Sequence, residues 1–190
     1  MAEGWQHPLE DNVVVLDCGD DYKSLPEKTF AVIKWAREHG YDWLLKLDDD
    51  VYCRPERLVV PDTDYTGHAY GHKLYCSGAA YWLSSCAMDA CLGKWYRRSN
   101  AEDSCVGETL RFHGIRLTED PRYRVGWKAL PKDGPENEFP HPSNEAITFH
   151  MWWPQFMPEM HANWDRRQQV VDIHNFYGLT EELRKKNPWG

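Results

Sequence analysis

The chain opens on a Val-rich apolar run at residues 12–17, "NVVVLD", which closes on an acid; this is the pattern of a buried strand. Ser24 then precedes Leu25, Pro26 and Glu27. That order predicts a helix start, with a capping box between Ser24 and Glu27 and a proline tolerated in the first turn. Phe30, Ile33 and Trp35 carry the helix on until His39 and Gly40 stop it. Residues 42–48, "DWLLKLD", read as the next strand. Strand, helix and strand in so short a span predict a βαβ unit, whose two strands are parallel neighbours.

After a Gly/Tyr-rich turn, residues 78–84, "GAAYWLS", read as a further strand. Ala87, Met88, Cys91, Leu92 and Trp95 recur at helical spacing over 86–97, and a second such segment runs over 102–114 with acids in its first turn. It ends at Gly114, and Ile115–Leu117 read as a short strand. Residues 119–144 hold five prolines and read as loop, residues 146–151 as strand, and the tail beyond 160 as an amphipathic helix of mixed charge. The class is α/β with a mixed sheet. One domain is expected over 1–190, its core at about 12–157 and a helical tail at about 160–190.

Composition narrows the function. Hydrophobic residues make up 42% of the chain, enough for a core, and the formal charge of −8 argues against generic binding to nucleic-acid backbones. Ten Trp and ten Tyr suit flat or carbohydrate ligands and equally suit a core of large side chains. No apolar stretch of about 18 residues is present, so no membrane span is expected. The first residues have neither a basic nor an apolar signal region, which points to a cytoplasmic chain whose six cysteines are thiols.

The sharpest feature is the run Asp48, Asp49 and Asp50 at the end of an apolar strand. Ligands of open α/β sheets bind beyond the carboxyl ends of strands. Alternation puts Asp48 and Asp50 on one side and Asp49 on the other. Three carboxylates packed together are costly unless a hard divalent cation neutralises them. An acidic turn capping the next segment is the plainer reading. An EF-hand is excluded, because the required Gly and Glu do not follow.

Five segments in order carry a resemblance. Asp20, Tyr22, Leu25, Lys28, Thr29 and Trp35 are followed by "LKLDDDVY", then by "YCSGAAYWLS" (75–84), "EDSCVG" (102–107) and "AITFHMWWPQFM" (146–157). Together they resemble the β-1,3-galactosyltransferase and Fringe-like glycosyltransferase family. Ala80 stands where that family usually has glycine.

The resemblance implies a GT-A-like, Rossmann-like domain that transfers a sugar from a nucleotide donor, UDP-linked, with inversion at the anomeric carbon. The acceptor would be a hydroxyl on a glycan, a small molecule or a modified nucleobase. Mn²⁺ or Mg²⁺ would neutralise the diphosphate leaving group. Asp50 and His150 are the implied metal ligands, and Asp48 and Asp49 support the metal or the donor ribose. Asp103 is the implied catalytic base, with Glu102 as second candidate; both also complement a helix dipole. Gly78, Ala79 and Ala80 would let the backbone approach the donor sugar, with Lys28 and Tyr22 as further donor-site candidates. Trp152 and Trp153 are candidate acceptor walls.

Two departures stand out: no membrane anchor, and no strand and helix before "NVVVLD" where the family's nucleotide base normally binds. A minimal enzyme or a fragment fits, the intact acids at 48–50 and 102–103 with His150 argue against a decayed copy, and the compact form suggests a bacterial, viral or phage source. A phage-type transferase acting on a hydroxylated DNA base is therefore an alternative. A metal-dependent phosphohydrolase and a non-catalytic carbohydrate-binding module are others.

Overall fold

The computed structural model describes residues 13–70, 72, 74–97, 99–124 and 146–150. The predicted tail, Trp152, Trp153 and residues 125–144 of the proline-rich segment lie outside the described residues. Helix α1 (Leu25–Glu38) leads into β1 (Trp43–Leu47) and β2 (Val51–Cys53). The hairpin of β3 (Tyr65–Tyr70) and β4 (Tyr75–Ser84) follows, then α2 (Ser85–Gly93) and α3 (Glu102–Phe112). Three short strands complete the order: β5 (Thr118–Glu119), β6 (Tyr123–Arg124) and β7 (Thr148–His150).

The fold is α/β with a mixed sheet. One sheet has the order β1-β4-β3-β5, with β5 parallel to β3 and the other pairs antiparallel. A second has the order β2-β7-β6, with β2 antiparallel and β6 parallel to β7. The predicted parallel βαβ unit does not form. Val13, Val14 and Val15 are 51%, 46% and 72% exposed and make no strand. β1 instead pairs antiparallel with β4, from Trp43↔Ser84 to Leu47↔Ala80. An apolar run becomes a strand only when a neighbouring strand takes its backbone hydrogen bonds, and β4 supplies that neighbour to β1 and not to Val13–Val15.

Helix caps also differ from the simple pattern. Asp21, not Ser24, starts the helical stretch: its Oδ1 accepts from the Ser24 amide at 2.9 Å, and a 3₁₀ turn over Tyr22–Ser24 leads into α1. Glu27 is drawn away to Arg97, so no capping box closes. At α2 the Ser84 hydroxyl accepts from the Ala87 amide at 3.2 Å while donating to Asp64. The predicted strand at Ile115–Leu117 forms two residues later, as β5.

Both faces of the larger sheet are covered. Ile33 and Ala36 of α1, Ala87, Met88 and Cys91 of α2, and Val106 and Leu110 of α3 pack with Tyr65, Tyr81 and Leu83 in one core. Ala80, Trp82, Tyr123 and Ile147 form a second core with Trp43, Leu45 and Leu58. Burial on both faces explains why "GAAYWLS" reads as a nearly continuous apolar run instead of an alternating one.

A bulge interrupts β4. Gly67 pairs with Tyr81 and Ala69 with Cys76, so residues 77–80 stand opposite the single residue 68. Odd and even positions thereby exchange faces, and Cys76 joins the same core as Tyr81. The start of β4 is packed against α3 through Gly107, where a Cβ would overlap the Tyr75 Cβ. Gly107→Ala is expected to cost about 1–3 kcal/mol through overpacking. Urea denaturation of the variant against the wild-type chain measures this, and an unchanged midpoint would contradict the tight α3–β4 contact.

Candidate functional site

The site forms where β1 ends, β4 bulges and α3 begins. The Asp48 amide donates to the Ala79 carbonyl at 3.1 Å, continuing the β1–β4 ladder one step past the strand. The chain then turns through Asp49 and Asp50 into β2. Asp48 and Asp50 are half-buried and Asp49 is exposed, as the alternation along "KLDDD" requires.

Asp48 and Asp50 meet different partners. Asp48 Oδ1 accepts from the Lys46 ammonium. Asp50 Oδ2 lies 3.0 Å from His150 Nε2. Residues 100 positions apart meet here because β2 pairs with β7 in a register that sets Val51 opposite His150. Asp50 Oδ1 is buried and has no hydrogen-bond partner among the described residues. Such an oxygen is costly to bury and suits a cation. Asp50 and His150 thus offer one hard oxygen and one imidazole nitrogen to a divalent ion. Asp48 does not join them: among the described residues no group of three or more potential ligands forms.

Lys46 is the centre of the second half of the site. It stands opposite Tyr81 in the β1–β4 register and reaches the first turn of α3. Its ammonium lies 2.9 Å from Glu102 Oε1 and also donates to the Gly78 carbonyl. Tyr81 Oη donates to Glu102 Oε2 at 2.6 Å. Glu102 is 4% exposed, so this carboxylate belongs to the interior. Asp103, the next residue, is only half-buried. Its Oδ2 accepts from the Gly78 amide at 3.1 Å and its Oδ1 from the Ser104 amide at 2.7 Å.

Gly78 has a role other than making room for a sugar. A Cβ at this position would sit 2.7 Å from Glu102 Oε1 and 3.5 Å from Asp103 Cβ, so glycine admits the two acids of α3. Ala79 and Ala80 are 4% and 3% exposed, and Ala80 packs in the second core. Tyr22 is 70% exposed. Lys28 pairs with the exposed Asp20, whose carboxyl its ammonium holds below the usual range. Lys46 and Tyr81 are the residues that sequence reasoning left without a role. Their signal was a lysine inside an apolar strand, on the Leu44 side, within reach of a Glu at a helix start.

Charge in the site is unbalanced, with Asp48, Glu102 and Asp103 around one ammonium. Burial works against the Lys46 cation, but Glu102 and Asp48 outweigh it and raise its pKa above the ordinary 10.5. Burial raises Glu102 above 4.5, and the nearby Lys46 and the Tyr81 hydrogen bond only partly offset this. Burial likewise raises Asp103 above 3.8, opposed by the Gly78 and Ser104 amides. Buried thiols nearby are inert: burial pushes Cys76 and Cys91 up to about 12.

Known proteins are similar in sequence to the first part of this chain. The family model described as Galactosyltransferase matches residues 6–60, which include Asp48–Asp50 and stop short of Gly78, Asp103 and His150. The chain is 37% identical over 62 residues to the Arabidopsis thaliana protein named "Probable beta-1,3-galactosyltransferase 13", covering 32% of this chain and 18% of the relative. It is 44% identical over 48 residues to "Probable beta-1,3-galactosyltransferase 12" of the same plant, covering 25% and 13%. The match thus spans less than a fifth of either relative's length. Among the described residues no helix is long and apolar enough to cross a membrane.

Both acids of α3 bind protons more tightly in the folded chain than in the unfolded one. The stability this contributes is complete below the ordinary values of 3.8 and 4.5 and is lost as pH rises through the folded pKa values. Replacing Glu102 removes its share of that loss. Urea midpoints measured from pH 4 upward are expected to fall less steeply for Glu102→Gln than for the wild-type chain. A steeper fall in the variant would contradict the raised Glu102 pKa.

Proposed function

We propose that this chain, whose residues 6–60 match the galactosyltransferase family model, is a metal-dependent, inverting glycosyltransferase of GT-A type. It moves a sugar from a nucleotide donor, UDP-linked, to an acceptor hydroxyl. The observation that carries the metal half of this reading is the Asp50–His150 pair, 3.0 Å apart, with Asp50 Oδ1 buried and without a partner.

Asp50 and His150 would hold the cation, and Asp48 and Asp49 would border the donor. When bound, Mn²⁺ or Mg²⁺ supplies positive charge for the diphosphate as it departs. Asp103 takes the proton of the acceptor hydroxyl. That oxygen then bonds to the anomeric carbon from the face opposite the diphosphate, and the carbon–oxygen bond to the diphosphate breaks, which inverts the centre. Two properties support Asp103 in this role over Glu102. Asp103 is the less buried of the two, and the Gly78 and Ser104 amides fix its orientation while each oxygen keeps a lone pair for a proton. Its burial raises the pKa, and a more basic carboxylate is the better proton acceptor. The acceptor class spans glycans, small molecules and hydroxylated nucleobases.

Calorimetry with UDP in the presence and absence of Mn²⁺ tests the reading, and nucleotide binding is expected only with the metal. Asp50→Ala should lose both binding and transfer. Asp103→Asn should keep nucleotide affinity and lose about 10²–10⁴-fold in turnover, the usual worth of a general base. Metal-independent UDP binding, or full activity in either variant, would sink the assignment; hydrolysis of nucleotide sugar with no acceptor present would favour a phosphohydrolase.

A further inference from the structure

The Lys46 side chain is only 15% exposed and turned inward, away from any ligand-facing role. Three acceptors surround its ammonium: Asp48 Oδ1, the Gly78 carbonyl and Glu102 Oε1. An ammonium has three protons, so these partners use them all. Each partner comes from a different segment: the end of β1, the bulge of β4 and the first turn of α3.

Gly78 is held on three sides. Its carbonyl accepts from Lys46, its amide donates to Asp103 Oδ2 at 3.1 Å, and the space a Cβ would fill is closed by Glu102 Oε1 at 2.7 Å. Asp103 follows Glu102 directly in α3, so whatever anchors Glu102 also limits where Asp103 can stand. Glu102 is anchored by Lys46 on one oxygen and Tyr81 on the other.

We infer that Lys46 is a positioning residue for Asp103: through Glu102 and the Gly78 backbone, its ammonium sets the place of that carboxylate relative to the Asp48–Asp50 cluster. The transferase reading above gives this placement its catalytic meaning, while the placement itself is a property of the fold. Lysine suits the task better than arginine. Its compact charge presents three divergent protons to three acceptors, whereas a guanidinium presents a planar fork.

Removing Lys46 alone would leave Glu102 buried without a counter-charge, a loss that destabilises for reasons unrelated to positioning. The test therefore uses Lys46→Met/Glu102→Gln, which removes both charges and leaves Tyr81 an amide partner. Hydrogen exchange on chain labelled with ¹⁵N-glycine reads Gly78 directly, with Gly67 and Gly107 as internal controls. Gly78 protection is expected to fall about tenfold, the size of one lost hydrogen bond, while the controls hold. Turnover is expected to fall about 100-fold with the donor KM changed by less than about threefold, the signature of a misplaced group.

A folded double variant that keeps either Gly78 protection or turnover overturns the inference. Should that variant not fold, Lys46→Arg retains the positive charge and is expected to show the same loss of Gly78 protection; retained protection there overturns it equally. If the wild-type chain transfers no sugar from any nucleotide donor, the transferase reading fails. Gly78 protection then decides the positioning role by itself.

Discussion

One buried ammonium holds this site together. Lys46 sits among Asp48, Glu102 and the Gly78 carbonyl, and those partners belong to a strand end, a strand bulge and a helix start. Each of the three brings negative charge or an electron-rich carbonyl to the same place, and the ammonium between them offsets that charge. The arrangement keeps a surplus of acid even so. Burial raises the Glu102 and Asp103 pKa values above their ordinary range despite the nearby cation. A region poised in this way attracts further positive charge, and Asp50 with His150 stands one turn of chain away.

Geometry at β4 makes the cluster possible. Four residues of β4 bulge opposite one of β3, and the bulge aims the Gly78 carbonyl at Lys46 and the Gly78 amide at Asp103. A regular strand would give both groups to its neighbours. The same bulge reverses which positions face the helices, so Cys76 and Tyr81 fill one core although five positions separate them. Gly78 and Gly107 bring α3 close enough for its first-turn acids to reach the sheet. A local irregularity thus serves packing and site construction together.

The two halves of the site rest on different kinds of support. Lys46, Glu102 and Asp103 are joined through neighbouring elements packed on a common core. Asp50 and His150 depend on a three-residue pairing between β2 and β7. The match to the galactosyltransferase family model covers Lys46 and the acids at 48–50 and stops short of Gly78, Glu102, Asp103 and His150.

Much was legible from the residues alone. The helices at 25–38 and 102–112, the strand at 43–47, the 78–84 part of β4 and the three consecutive acids all follow from periodicity and local charge. Illegible were the facts that depend on a neighbour. Val13–Val15 read as a strand, yet an apolar run has no means of stating which backbone will pair with it. The resemblance ranks Asp103 before Glu102 as the base, but only the contact of α3 with β4 buried Glu102 and left Asp103 half-open. Lys46 looked like a polar residue on a strand, since nothing local shows three acceptors arriving from segments up to 56 positions away. Sequence by itself determined which residues carry charge and which local shapes they prefer, because both are properties of side chains and short spans. Tertiary structure decided which charges are paired, which are buried and which stay available, because desolvation and Coulomb energy depend on distances that only the folded chain sets.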